Sequence, residues 1–193
     1  MNEKIMNMNV KQILQQTRRN IGLDKYANIM KSFREVDVAK NGEFQKLFNG
    51  FYRVRRDVQW QKIYYAIMEK GKTEVLSFEQ ILRNIYDKTG RVEASFVSKL
   101  VHTLNADMPI WDKFVLQNLG LKMPICSGEQ KLQNAIRIYQ EIVLWYKKAW
   151  SINKINEKIR EFDDIFTEYK WFSKTKKIDF LLWQMREEKK PTI

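Results

Sequence analysis

Apolar side chains recur at every third or fourth position along almost the whole chain, and this spacing constrains the fold most strongly. It is the period of amphipathic helices that each bury one face. The nearest approach to the alternation of a β-strand is residues 72–78, a segment too short to seed a sheet. With only 7 Gly and 3 Pro in 193 residues, the chain also lacks the turns of a β-sandwich or barrel. We therefore predict an all-α fold.

Capping signals support this prediction at several predicted helix ends. The segments that begin at Ser77 and Ser127 both have capping-box form, with Gln80 and Gln130 three residues later. The predicted helices span residues 9–20, 23–36, 42–54, 57–70, 77–88, 93–104, 110–119, 128–149, 152–169 and 175–187. Glycines that follow predicted helix ends, where a left-handed residue is favoured, are Gly71, Gly90 and Gly120.

The predicted helices are joined by short connections, and no linker, repeat or low-complexity tract separates them. A chain of 193 residues also has the usual length of one domain. We predict that residues 1–193 form a single globular multi-helix domain of about nine or ten helices, with frayed ends at about 1–8 and 188–193. Two lobes around a cleft are compatible with this pattern.

The chain is strongly basic, with 35 Lys and Arg against 23 Asp and Glu and a formal charge of +12. This excess favours a polyanionic partner such as nucleic acid, although many basic helical proteins bind no particular partner. The single Cys126 excludes an internal disulfide and a four-cysteine metal site. Nucleotide-binding and paired-histidine motifs are absent from the sequence, so we predict no metal and no cofactor. Without a long apolar run or a signal-peptide pattern, the sequence predicts a soluble cytoplasmic protein with no membrane partner.

The segment from residue 89 to residue 121 raises the question of whether one acid is a helix cap or a catalyst. Gly90 ends one predicted helix, residues 92–104 form the next, and Pro109 suits the first position of a third. Asp112 is then expected in or just after the first turn of that third helix, where the dipole and free amides favour a carboxylate. Burial beside Trp111 would have the opposite effect on its ionisation.

The register of this segment carries a resemblance to a known superfamily. Gly90 stands 22 positions before Asp112, and the preceding residues 77–90 read as one helix. Apolar residues at fitting positions are Leu100, Leu104, Trp111, Val115 and the LGL of residues 119–121. The segment resembles the helix-hairpin-helix DNA glycosylases, in which a glycine-bearing hairpin leads through a helix to a catalytic Asp. The resemblance implies a helix-hairpin-helix fold, duplex DNA as the partner, and Asp112 as the catalytic carboxylate, with Gly90 and Arg91 at the DNA backbone.

Three features depart from the superfamily pattern. The hairpin has Val92 where a second glycine usually allows backbone amides to approach a phosphate. The position of the nucleophilic lysine of lyase-type members is occupied by Ala94, and Lys99 lies about a turn too late to replace it. One cysteine cannot hold an iron–sulfur cluster. The resemblance therefore implies a monofunctional enzyme, in which Asp112 stabilises the cationic sugar of a flipped nucleotide or orients water.

Further binding residues are predicted in residues 48–65, where arginines alternate with aromatic rings. Arg53, Arg55 and Arg56 are candidates for phosphate contact near a break between two helices. Tyr52 and Trp111 are candidates for stacking on a base, while most of the other rings in the segment have the spacing of a helix core.

Two further groups of polar residues favour structural roles. The lysines of residues 170–177 are read as a solvated helix face, with Asp179 as an acid of the first turn. His102 has no visible catalytic partner and is read as a partly buried helix residue.

The sequence thus predicts a DNA-binding protein that resembles a base-excision glycosylase. A non-enzymatic helical protein that binds nucleic acid or other proteins is the alternative. An RNA-binding or phage-defence component is a third possibility, because the net charge supports it equally.

Overall fold

The structure is a computed structural model that describes residues 9–12 and 22–184. Within these residues the chain is helical and has no strand, which confirms the predicted all-α fold. The helices are α1 (Leu23–Glu35), α2 (Gly42–Tyr52), α3 (Val58–Lys70), α4 (Phe78–Thr89), α5 (Ala94–Leu104), α6 (Lys113–Leu119), α7 (Gly128–Trp150), α8 (Asn153–Ile165), a 3-10 helix (Thr167–Tyr169) and α9 (Lys174–Gln184). Of the predicted helix at 9–20, only residues 9–12 are described, and residues 10–12 are helical; the predicted frayed ends lie outside the described residues.

One cluster of buried side chains connects all nine of these α-helices, so they form one body rather than two separately packed lobes. Helix α7 contributes an apolar stripe, as its spacing predicts, and packs against α4, α5 and α8. Aromatic rings supply much of the buried volume, which favours a well-packed core because each ring removes a large apolar area from water. The largest fully buried side chains include Tyr26, Phe48, Tyr64, Tyr65, Tyr146 and Phe162.

Local capping signals are confirmed at three helix ends. Ser77 Oγ accepts a hydrogen bond from the Gln80 amide, and Gln80 Oε1 accepts one from the Ser77 amide. These two bonds complete the predicted capping box of α4. Gly90 and Gly120 end α4 and α6 in the left-handed conformation, with φ of 67° and 69°. The fold therefore needs glycine at both positions.

Two other capping predictions are wrong. Ser127 precedes α7 but makes no side-chain cap, and the next residue, Gly128, departs from helical geometry with φ 54°. Gly71 ends α3 with φ −64°, so it does not need the left-handed region. A Cβ atom at Gly71 would lie 2.5 Å from Leu104 Cδ1, so any larger residue there would require the Leu104 side chain to shift.

The connection between α5 and α6 differs from the prediction, because α6 begins at Lys113 and Pro109 lies outside it. Hydrogen bonds to α5 hold this connection extended. The Trp111 amide donates to Ser98 Oγ at 2.8 Å, and Ser95 Oγ donates to the Trp111 carbonyl at 3.0 Å. These two bonds fix the backbone immediately before Asp112.

Candidate active site and nucleic-acid interface

Asp112 is the N-cap of α6, with extended backbone at φ −124°. Its Oδ1 accepts a hydrogen bond from the Phe114 amide at 2.8 Å, which satisfies one of the free donors of the first turn. The residue as a whole is partly exposed. Asp112 is therefore a helix cap.

Asp112 interacts electrostatically with three polar side chains, and a fourth, Lys176, is paired with one of them; together we call these five residues the interior polar cluster. Burial has the largest effect on the pKa of Lys99, Tyr146 and Asp179, and the negative charge of Asp112 raises the pKa of each. The cluster therefore links the charge of Asp112 to groups on three helices. Its members are Asp112, Lys99 of α5, Tyr146 of α7, and Lys176 and Asp179 of α9.

The ion pair within this cluster shows that the prediction of a solvated lysine face is wrong for Lys176, whereas Lys170 and Lys174 are exposed as predicted. Lys176 Nζ lies 3.0 Å from Asp179 Oδ2, and the two side chains are only 4% and 10% exposed. The ammonium also lies 4.5 Å from the ring centre of Tyr26 and 4.6 Å from that of Phe180. A buried charge is tolerated here because a carboxylate and two ring faces replace its hydration.

Lys177 is a second buried lysine of the same helix. Its Nζ donates to the Lys170 carbonyl at 2.8 Å and lies 2.6 Å from Asp163 Oδ1, a close ion contact without hydrogen-bond geometry. Residues 175–182 of α9 are all buried, so this helix has no solvated face along that length.

The two residues predicted to stack on a base lie in the core. Trp111 and Tyr52 are each 7% exposed, and a ring packed in this way offers no face to a base. The Tyr52 hydroxyl is buried without a hydrogen-bond partner among the described residues, as is the hydroxyl of Tyr146.

His102 is fully buried and holds the connection that leads to Asp112. Its predicted structural role is confirmed, and it is more deeply buried than predicted. Its Nδ1 lies 2.6 Å from the Met108 carbonyl and its Nε2 lies 2.8 Å from the Tyr26 hydroxyl. Because a carbonyl only accepts, Nδ1 carries the proton and Nε2 accepts from Tyr26. Burial, with help from the charge of Lys176, lowers the pKa of His102 to about 3.

A surface cavity of about 400 Å³ lies at the hairpin between α4 and α5. Gly90, Arg91 and Arg56 line it, so the structure brings together three of the predicted nucleic-acid-binding residues. The start of α7 forms another wall of the cavity and adds Ser127 and Lys131, which the sequence had not indicated. Cations from three elements therefore meet at one open surface.

The four predicted arginines differ in their exposure and in their position relative to this cavity. Arg56 forms a double hydrogen bond with Glu93, at 2.7 Å from Nε and 3.1 Å from Nη2, so its guanidinium braces the hairpin. Arg91 is exposed, and its charge is one of the smaller influences that lower the pKa of Asp57, after the hydrogen bond from Trp60. Arg53 and Arg55 are also exposed, but neither is among the residues that line the cavity.

Asp112 does not line this cavity either, but the start of α5 contacts both the cavity and the backbone beside Asp112. Glu93, the N-cap of α5, lies at the edge of the cavity and leaves the helix start without a side-chain cap. Two residues later, Ser95 binds the Trp111 carbonyl next to Asp112. The position of the carboxylate is thus linked to that of the hairpin.

Comparison of the chain with protein-family models, with curated proteins and with solved structures finds no match. Among the described residues, no group of three or more His, Cys, Asp or Glu side chains is placed to hold a metal ion. None of the helices that the structure describes is both long enough and apolar enough to span a lipid bilayer.

Proposed function

We propose that this protein binds duplex DNA through the cavity at the hairpin and hydrolyses the N-glycosidic bond of a flipped nucleotide, with Asp112 as the catalytic carboxylate. The main support for the proposal is that Gly90, Arg91 and Lys131 line one open cavity. This cavity lies at the start of α5, the helix that precedes the connection to Asp112. The free amides at the starts of α5 and α7 add positive ends of helix dipoles to these cations. A DNA phosphate is the ligand that this combination suits.

The carboxylate has the properties that this reaction requires. Hydrolysis of a glycosidic bond passes through a cationic sugar, which a fixed negative charge stabilises. The cap to Phe114 holds the Asp112 carboxylate in one orientation, and the residue is partly exposed. Arg56 is assigned a bracing role, because Glu93 already occupies its guanidinium.

DNA binding is tested by removing one cation at a time from the cavity. Arg91→Gln and Lys131→Gln should each reduce the slope of log affinity against log salt concentration by about 0.9, the value for one phosphate contact. The measurement is fluorescence anisotropy with a labelled duplex over a range of salt concentrations. Lys148→Gln removes the same charge from the far end of α7, where the side chain is exposed, and should leave the slope unchanged. An equal loss in all three variants would mean that the affinity reflects net charge alone.

The chemical step is tested with duplexes that each carry one damaged base, followed by cleavage of abasic sites with alkali. Asp112→Asn keeps an oxygen for the cap and removes the charge, so it should lower the rate by about 10²–10⁴-fold without unfolding α6. Asp107→Asn is the matched control, because Asp107 is an exposed acid of the same connection. Salt-dependent binding without base removal on any substrate would favour the non-enzymatic DNA-binding protein. Absence of both activities would refute the proposal.

A further inference from the structure

Tyr86 contributes an aromatic ring to the wall of the hairpin cavity, and the phosphate contacts proposed above give this ring no role. It lies in the last turn of α4 and is partly exposed, whereas the rings of Trp111 and Tyr52 are buried in the core. Its hydroxyl makes no hydrogen bond among the described residues. An aromatic ring that lines an open cavity is able to stack on a nucleobase, because every base has an aromatic face.

The position of Tyr86 is fixed at both ends of the residue. Its backbone carbonyl accepts a hydrogen bond from the Gly90 amide of the hairpin at 2.7 Å. At the other end, its hydroxyl lies beside the start of α7, since a Cβ atom placed on Gly128 would be 3.7 Å from Tyr86 Oη. The Tyr86 side chain therefore extends from the hairpin to α7 and lines the cavity between them.

Two cations line the same cavity and are available to a ligand. Neither Arg91 nor Lys131 makes a side-chain hydrogen bond or an ion pair among the described residues. The one acid of the lining, Glu93, is already held by the double hydrogen bond from Arg56. Three cations and one acid leave the lining with a net charge of +2, which favours a phosphate group.

The size of the cavity limits the ligand that it holds. Its volume of about 400 Å³ lies within the range of sites for small molecules, roughly 300–1,000 Å³. A ring on one wall and two unpaired cations on the others match the two parts of a nucleotide, an aromatic base and a phosphate. A site of this size suits one such unit rather than a longer segment of a strand.

We propose that this cavity binds one unpaired nucleotide of DNA, with the base stacked on Tyr86 and the phosphate held by Arg91 and Lys131. DNA as the source of the nucleotide rests on the function proposed above. A nucleotide within a continuous duplex does not suit the cavity, because the neighbouring bases cover both faces of its base. Since Asp112 does not line the cavity, the nucleotide bound here is not the one from which Asp112 would remove a base. The site therefore favours DNA with an unpaired nucleotide over DNA without one.

The first test uses the wild-type protein and free ligands, so it depends neither on DNA binding nor on a variant. NMR titrations of isotope-labelled protein compare deoxyadenosine monophosphate with the same sugar phosphate in which a hydrogen replaces the base. The nucleotide should bind at least about fivefold more tightly, because a stacked base adds this much affinity or more. The amides that shift should include those of Gly90, Arg91 and Gly128. Equal affinities for the two ligands, or shifts confined to amides outside the cavity, would overturn the proposal.

Variants separate the contribution of the ring from that of the cations. Tyr86→Leu keeps an apolar side chain and removes the ring, so it should weaken the nucleotide at least about fivefold and leave the affinity for the base-free sugar phosphate unchanged. Tyr86→Phe keeps the ring and should retain the preference for the nucleotide. Lys131→Gln should weaken both ligands by the same factor, because both carry the phosphate. Equal weakening of both ligands by Tyr86→Leu would mean that the ring only shapes the cavity, and the proposal would be wrong.

The last test places the nucleotide in DNA. Two duplexes each end in one unpaired nucleotide and differ only in whether that nucleotide carries its base, so their phosphates are the same. The wild-type protein should bind the duplex with the base at least about fivefold more tightly in fluorescence anisotropy, and Tyr86→Leu should bind the two equally. Preference for the free nucleotide without any binding of DNA would support the nucleotide site and count against the proposed function. Salt-dependent binding of both duplexes with equal affinity, and no preference between the free ligands, would support DNA binding and overturn this inference.

Discussion

His102 should control how the stability of this protein depends on pH between about pH 5 and pH 7.5. It is the only histidine of the chain, and burial lowers its pKa from the ordinary 6.5 to about 3. As the pH falls below 6.5 the unfolded chain binds a proton at His102 that the folded protein does not bind, so the folded state loses stability. Integrated from pH 7.5 to pH 5, this difference is about 2 kcal/mol.

The assay is urea unfolding followed by circular dichroism at several pH values, with His102→Gln as the reference. A glutamine amide can donate to Met108 and accept from Tyr26, but it does not titrate. Subtraction of the variant's pH profile removes the contribution of Asp179, whose pKa burial raises and whose effect has the opposite sign. Lys99 titrates above this range, at a pKa of about 8. Parallel profiles for the two proteins between pH 5 and pH 7.5 would show that His102 protonates equally well in the folded state.

Two further predictions concern stability. Ser77→Ala should lower the free energy of unfolding by about 1 kcal/mol because it breaks a formed capping box, whereas Ser127→Ala should change it by only a few tenths of a kcal/mol because Ser127 makes no cap; equal losses in urea unfolding would contradict the structure. Lys176→Met should cost about 3–5 kcal/mol by leaving Asp179 buried without its partner, and adding Asp179→Leu should recover most of that loss. Additive losses in the double variant would show that the two side chains do not interact.

Helix positions could be predicted from the sequence because their signals are local. The cap at Ser77 and the left-handed glycines at Gly90 and Gly120 depend on residues within about four positions, and all three are confirmed. The start of α6 was placed at Pro109 instead of Lys113, because side chains of α5 hold the intervening backbone extended. No local pattern reports a hydrogen bond between Ser98 and Trp111, thirteen positions apart.

The interior polar cluster was missed for a related reason. Lysines near a helix start usually lie in water, so Lys176 and Lys177 were read as solvated. The sequence does place Asp179 three positions after Lys176, the one local hint of an ion pair. Asp163 comes from another helix, and only the packed structure shows that it meets Lys177. Burial of α9 along residues 175–182 therefore could not be inferred from its composition.

The fold and the proposed catalytic acid are connected through α5, whose buried and partly buried polar side chains follow the same helical period as its apolar ones. Ser95, Ser98, Lys99 and His102 stand at steps of three, one and three residues and so share one face of the helix. Three of them bind the backbone of the connection between Met108 and Trp111, and the fourth belongs to the interior polar cluster. A polar face is costly to bury unless every member finds a partner, so this one fixes where α6 begins. The same face therefore sets the position of the candidate catalytic acid relative to the hairpin.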